Sequence, residues 1–474
     1  MLFNSFEFFV FLFITMILYY LPSKSGRWQK SVLLLAGCSF YLYYSFWGLL
    51  LLLFTALINA ITTWFIYIRR NPKIYSTTGV IFNLVIFVFF KCAHLLELTP
   101  LYLDNNIGSL IVALPLPLGI SFYTFSGISL MIDTYKSSAI DNWKTSEVMN
   151  ESLCSVLLNC LQYFLFFPKM AQGPIMKSTD FFRQIDSRKC FMDISWEYVF
   201  RCLVVGFFLK MVIADNLKDF TFWMNEYYNS FGSGTLLLFT FGYTVQLFSD
   251  FAGYSLIAIG VASMLGYKLP QNFNFPYVSS SFHDFWKRWH ITLSQFLMQY
   301  LYFGLGGNRK GKMRTYINLI LTMTLGGIWH GVGISYILWG FVHGCALAIE
   351  RMSLGDRLKK EQEWSKSFRV TYTLFVFVCV SFLWLFFAIP DYGHFVGFIK
   401  CLFNLYRGVA FLDLKQTPII VYAFPIVFWH IIYLCRNKRW ATAFRKFDYL
   451  WLGIMLFLII SNSGTSSPFI YIQF

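Results

Sequence analysis

Two histidines forty residues apart, His290 and His330, are the side chains best suited to chemistry in a sequence that is otherwise mostly apolar. His290 belongs to SFHDFWKRWHITLSQF (281–296), which also holds His283, Asp284, Trp286, Lys287, Arg288, Trp289 and Ser294. His330 lies in TLGGIWHGVGISYILWGFVHG, directly after Trp329 and among Gly326, Gly327, Gly331 and Gly333. An ionisable residue inside an apolar run is costly, and so is a candidate for function. A neutral imidazole can take a proton from a hydroxyl as that hydroxyl attacks an activated acyl carbon. Burial keeps the ring neutral and competent near pH 7. The glycines let another chain or a substrate approach the backbone closely. A packed core histidine is the other reading of His330, and the residues alone leave both open.

Neither a GxSxG elbow nor a paired Cys and His supplies a nucleophile that could hold an acyl group. Direct transfer through a ternary complex is therefore the simpler expectation. His343, Cys345 and Glu350 follow at a spacing that makes no persuasive metal site, and no metal is expected. His94, His394 and His430 lack supporting neighbours and read as structural.

The elements that position these residues are set by composition. The 474-residue chain is 57% hydrophobic and only 13% charged, against about 25% charged residues in soluble domains. This excludes a soluble enzyme and implies a polytopic membrane protein. A net charge of +15 fits Lys- and Arg-rich cytoplasmic loops and does not call for nucleic acid. The ten cysteines show no disulfide framework and read as small buried hydrophobes. The opening MLFNSFEFFVFLFITMILYYLP contains Glu7 and precedes Lys24, Arg27 and Lys30. It is read as a first spanning helix with the N-terminus outside, not as a cleaved signal.

Fourteen apolar stretches lie between residues 6 and 461, and about ten to thirteen are expected to cross the bilayer, each needing about 20 residues. ALPLPLGISFYTFSGIS (113–129), with Pro115, Pro117 and Gly119, and FFPKMAQGPI (166–175) are expected to bend or stop. Residues 281–296 are expected as one interfacial amphipathic helix that aligns His283 with His290 and holds its tryptophans at the headgroup level. The turn LGGNRKGK carries Asn308, Arg309 and Lys310. It matches GxxxxGK, but Met313 stands where a phosphate loop needs Ser or Thr, and no strand precedes it. A glycine turn is the simpler reading. Residues 281–314 hold six Lys and Arg against one acid, Asp284, a basic mouth that would attract an anionic donor.

FHDFWKRWHITLSQFL, LGGNRKGK and GGIWHG, in this order, resemble the membrane-bound O-acyltransferase family, within it the bacterial branch that O-acetylates alginate or peptidoglycan. LPLGISFYTF, FFPKMAQGPI, GFFLKMVIADNL, VQLFSDFAGYSLIAIG and the terminal PFIYIQF extend the resemblance nearly end to end. It implies an all-α polytopic fold, a ring of helices with re-entrant and interfacial segments around a central tunnel. One membrane domain over 1–474 is expected, with N-terminal helices in 1–110, a core in 111–350 whose catalytic region is 281–345, and C-terminal helices in 351–474. His330 matches the family's catalytic histidine and His290 its second characteristic polar position. His283, Asp284, Trp286, Lys287, Arg288, Trp289, Ser294, Asn308, Arg309, Lys310 and Trp329 are expected to bind the donor or line the tunnel.

The resemblance further implies acetyl-CoA as acyl donor with no bound cofactor, and an extracytoplasmic glycan as the destination. A periplasmic SGNH-type acetyltransferase or esterase is the expected partner, and the bacterial inner membrane the expected location. GYTVQLFSDFAGYS lacks a second acidic-aromatic pair found in some relatives, which leaves the substrate open. D-alanyl transfer from a carrier-protein thioester to teichoic acid is the sibling alternative. A polysaccharide or lipid transporter without covalent chemistry and a scaffold for a secretion complex are the alternatives of other classes.

Overall fold

The computed structural model describes residues 1–21, 26–68, 71–96, 117–139, 152–331, 333–355, 357–358, 363–404, 413–436, 438 and 446–465. No strand occurs among them. An all-helical chain is the expected outcome in lipid, where each backbone N–H and C=O must be satisfied within its own segment. The helices are α1 (Phe6–Tyr20), α2 (Gly26–Tyr44), α3 (Phe46–Tyr67), α4 (Pro72–Leu96), α5 (Ile120–Ala139), α6 (Leu153–Phe164), α7 (Ser178–Ile185), α8 (Trp196–Phe207) and α9 (Asp215–Thr221). They continue as α10 (Ser233–Met264), α11 (Phe282–Arg288), α12 (Ile291–Phe296), α13 (Lys312–His330), α14 (Ile334–Leu354), α15 (Lys366–Leu383), α16 (Tyr392–Phe403), α17 (Pro418–Leu434) and α18 (Asp448–Ser461). Among the described residues six helical stretches are long and apolar enough to cross a membrane: Phe46–Tyr67, Pro72–Lys91, Ser233–Met264, Ile334–Leu354, Lys366–Ala388 and Leu414–Leu434. Three shorter apolar helices, α1, α6 and α18, accompany them.

The chain packs as two compact units. The first comprises Met1–Phe200 and Ile257–Pro270. Inside it α3 and α4 are clamped by a reciprocal amide pair, Asn59 Nδ2 to Asn83 Oδ1 at 3.2 Å and Asn83 Nδ2 to Asn59 Oδ1 at 2.8 Å. Such pairs hold apolar helices together where burial of hydrocarbon gives no advantage over lipid. FFPKMAQGPI stops α6 as expected: Phe164 ends the helix, and one turn follows at Phe167–Met170 with Pro168 near its start. There the Lys169 ammonium sits over the Tyr163 ring, 3.3 Å from its centre. In the second broken stretch α5 begins just after Gly119, whose φ of 69° only glycine adopts readily. Pro115 and the terminal PFIYIQF lie outside the described residues. Cys154 and Cys190 are exposed, unlike the buried Cys160, so not every cysteine is a core residue.

The second unit comprises Arg201–Leu256 and Gln271–Phe474. Its core gathers Phe285, Trp289, Trp339, Trp384 and Phe387 with the apolar faces of α10, α15 and α17. Trp286 joins this core and Trp289 is 1% exposed. That corrects the expectation of one interfacial helix over 281–296. The helix breaks between Arg288 and Ile291, because His290 takes the left-handed conformation at φ 42°, ψ 55°. The α-helical ladder cannot run through such a residue. Two helices with different axes result, so His283 and His290 do not share a face: His283 is exposed and His290 buried.

Candidate active site

The start of α11 is held by its own N-cap and by side chains from elsewhere in the chain. Ser281 Oγ accepts the Asp284 amide at 2.9 Å, an N-cap. The Glu350 carboxylate on α14 accepts the Phe282 and His283 amides at 2.8 and 2.9 Å, and Tyr372 donates its hydroxyl to it at 3.0 Å. An anion at a helix start complements the exposed N–H groups and the helix dipole. The end of α11 is fixed by Arg288. Its Nε donates to both Asp284 oxygens, at 2.8 and 2.9 Å, and its Nη1 to the Asn274 carbonyl and the Tyr433 hydroxyl.

The segment Asn272–Asn274 then runs alongside the break. The Asn274 amide donates to the Arg288 carbonyl and the Ile291 amide to the Asn272 carbonyl, both at 2.9 Å. These bonds hold His290 in its left-handed conformation, which is uncommon for a residue with a side chain and clusters at functional sites. The His290 ring is directed inward. Nδ1 lies 3.0 Å from Asn272 Oδ1, the ring meets Phe251 edge-on at 4.7 Å, and Nε2 is buried without a protein partner. Burial pushes its imidazole down from the usual value to about 3, which keeps it neutral.

His330 arrives from a different element. It is the last residue of α13, and Gly331 ends the helix. Two close approaches set the α13–α14 pair: a Cβ on Gly327 would stand 2.2 Å from the Tyr336 carbonyl oxygen, and one on Gly340 would stand 2.3 Å from that of Met323. Glycine is therefore required at both, and His330 is brought against the aromatic wall of α14. Its ring meets Trp329 at 4.6 Å, Trp339 at 5.2 Å and Phe387 at 5.1 Å. Ser335 Oγ donates to the Pro390 carbonyl at 2.6 Å and ties the start of α14 to the segment after Phe387.

The structure thus gathers His290, Trp329 and His330: Trp329 contacts both imidazoles, with centroids 6.4 and 4.6 Å away. Ser294 donates to the Trp289 carbonyl at 3.2 Å and so closes the first turn after the break. Lys287, Asn308, Arg309 and Lys310 are exposed, while Arg288 is engaged by Asp284. Gly306, Gly307 and Gly311 have positive φ, as a glycine turn requires, and Asn318 Nδ2 donates to the Gly307 carbonyl. Among the described residues no group of three or more His, Cys, Asp or Glu is placed to hold a metal ion.

Sequence reasoning passed over Asn272, Trp339, Phe387 and the anchoring role of Glu350. Glu350 had a readable signal, a carboxylate inside an apolar helix. Asn272 is an ordinary-looking polar residue in a loop.

The sequence model of the MBOAT, membrane-bound O-acyltransferase family matches residues 33–355. A protein of Pseudomonas putida named "Probable alginate O-acetylase AlgI" is 32% identical across the whole of both chains. Its namesake in Pseudomonas syringae is 37% identical over 371 residues, 74% of this chain and 66% of that protein. The "Peptidoglycan O-acetyltransferase" of Helicobacter pylori is 32% identical over 419 residues, 83% of this chain and 77% of that one. With six long apolar helices, a matching family model and relatives of this kind, the chain belongs to the membrane-bound O-acyltransferase family and is a multi-pass membrane O-acyltransferase.

Proposed function

We propose that this protein moves an acetyl group from cytoplasmic acetyl-CoA toward hydroxyls of an extracytoplasmic glycan, alginate-like polysaccharide or peptidoglycan, across a bacterial inner membrane. The observation that carries the reading is the buried pair His290 and His330 on either end of contacts to one indole, Trp329. His330 acts as general base. It takes the hydroxyl proton as the oxygen attacks the thioester carbonyl carbon; the C–S bond breaks, and the departing thiolate takes up the proton. His290 orients the acyl donor. The aromatic wall keeps bulk water from competing for the acyl group.

The exposed Lys287, Arg309 and Lys310 supply positive charge for the anionic donor. Arg288, paired with Asp284, shapes α11 instead. A periplasmic SGNH-type transferase receives the acetyl group for final placement on the glycan, and the N-terminus faces outward. No cofactor or metal takes part in this scheme.

Labelled acetyl-CoA supplied to inverted membrane vesicles tests the reading. Label transferred to the glycan fraction or to the partner supports it. Transfer from a D-alanyl carrier thioester but not from acetyl-CoA selects the teichoic-acid chemistry instead. Glycan movement with no covalent label selects a transporter, and neither outcome a scaffold.

A further inference from the structure

We propose that Asn272 is a positioning residue that fixes the tautomer of His290, so that Nδ1 carries the proton and Nε2 presents its lone pair to an N–H or O–H hydrogen of the acyl donor. The inference rests on the acyl-transfer reading and deepens it. Asn272 Oδ1 accepts the Thr292 backbone amide at 3.3 Å and the Thr292 hydroxyl at 2.9 Å. A backbone N–H can only donate, so the amide atom facing this cluster is the oxygen. On the other side Asn272 Nδ2 lies 3.3 Å from Ser255 Oγ, a partner that accepts its hydrogen. An oxygen facing Nδ1 of His290 at 3.0 Å requires Nδ1 to be the donor.

A neutral imidazole with Nδ1–H leaves Nε2 as a bare acceptor. Nε2 is buried without a protein partner, and His290 is 1% exposed. A lone pair desolvated in this way is costly unless a substrate hydrogen satisfies it. The backbone supports the assignment, because the left-handed φ at His290 and the Ile291–Asn272 hydrogen bond hold the two residues together. The groups that contact the ring, Phe251, Trp329 and Asn272, are uncharged. Asp250, next to Phe251 in the chain, pairs with Lys210. Among the described residues desolvation, and no neighbouring charge, sets the proton affinity of the ring and keeps it neutral.

The test uses the full chain in detergent or vesicles, with Asn272→Leu and Asn272→Asp, and two readouts. Nitrogen-15 NMR of histidine-labelled wild type is expected to show His290, identified by its loss in His290→Ala, protonated at Nδ1. Asn272→Leu is expected to lower kcat/KM for acyl transfer by about tenfold to a hundredfold, the usual scale for a lost orienting partner. It should cause no further loss in a His290→Ala background. Asn272→Asp keeps an oxygen acceptor and so keeps the tautomer. Its negative charge raises the affinity of His290 for a proton, and the acid limb of the pH–rate profile moves to higher pH.

An Nε2–H tautomer in the wild type overturns the proposal, whatever the activity. So does a wild-type kcat/KM in a correctly inserted Asn272→Leu, or an Asn272→Asp that loses activity as Leu does with an unshifted profile. Failure of the underlying acyl-transfer reading has a separate signature: wild-type membranes transfer no acyl group, while the NMR result still decides the tautomer.

Discussion

The Trp339 indole meets the His330 imidazole edge-on, with centroids 5.2 Å apart and planes at 90°, and meets His343, one turn further along α14, at 4.9 Å. A single buried ring thus braces both histidines. Trp339→Ala removes that brace and leaves a cavity, for which a loss of about 3–5 kcal/mol of stability is expected. Trp339→Phe keeps an aromatic edge toward His330 and retains most of the stability. Thermal unfolding in detergent ranks the variants, and initial rates should fall in the order wild type, Phe, Ala. An Ala variant as stable and active as wild type shows that the wall is not needed.

Glu350 makes a second prediction because one carboxylate serves at least three donors, among them the Phe282 and His283 amides and the Tyr372 hydroxyl. Glu350→Ala strands those donors, at about 1–3 kcal/mol for each that stays unsatisfied. Glu350→Gln keeps an acceptor oxygen and is expected to be intermediate, with Tyr372→Phe the mildest. A fluorescence thermal shift gives the order directly. Equal melting temperatures in all three variants contradict the anchoring role.

Lys210 lies between two acids, 2.8 Å from Asp215 and 2.7 Å from Asp250, all three nearly inaccessible. It stands in a π-helical turn, Phe208–Ala214, that continues from α8. Removing one partner of a buried ion pair costs about 3–5 kcal/mol, more than the pair contributes. Lys210→Met is therefore expected to fail to accumulate in the membrane. Lys210→Met with Asp250→Asn, which removes a carboxylate together with the cation, is expected to recover part of the loss. Membrane yield by immunoblot and melting temperature after extraction measure this, and a double variant worse than the single one rules the argument out.

How far the chain could be read from its residues depended on which forces act locally. Long apolar runs such as Phe46–Tyr67 and Pro418–Leu434 announce helices, since bilayer thickness sets their length and no tertiary partner is needed to define them. The stops in FFPKMAQGPI and the turn LGGNRKGK were equally legible, because Pro and Gly act through the backbone. The break at His290 was not. Neither Gly nor Pro marks it, and its cause is the hydrogen bonding of Asn272 and Asn274, residues brought alongside by the fold. For the same reason the alignment of His283 with His290 failed, and Trp286 and Trp289 moved from an expected interface into the core. His290 and His330 were both visible as candidates; their common neighbour Trp329 and the walls at Trp339 and Phe387 depend on contacts between elements and had to be seen.

The central claim is that His330 performs the proton transfer, and acyl transfer by His330→Ala and His330→Gln against wild type tests it most directly. Both variants are compared in vesicles matched for inserted protein, with labelled acetyl-CoA as donor. The account predicts that both accumulate and melt close to wild type while transfer falls by about a hundredfold or more, the scale of a lost general base. Wild-type rates in either well-folded variant contradict it and leave His330 as a packed core residue.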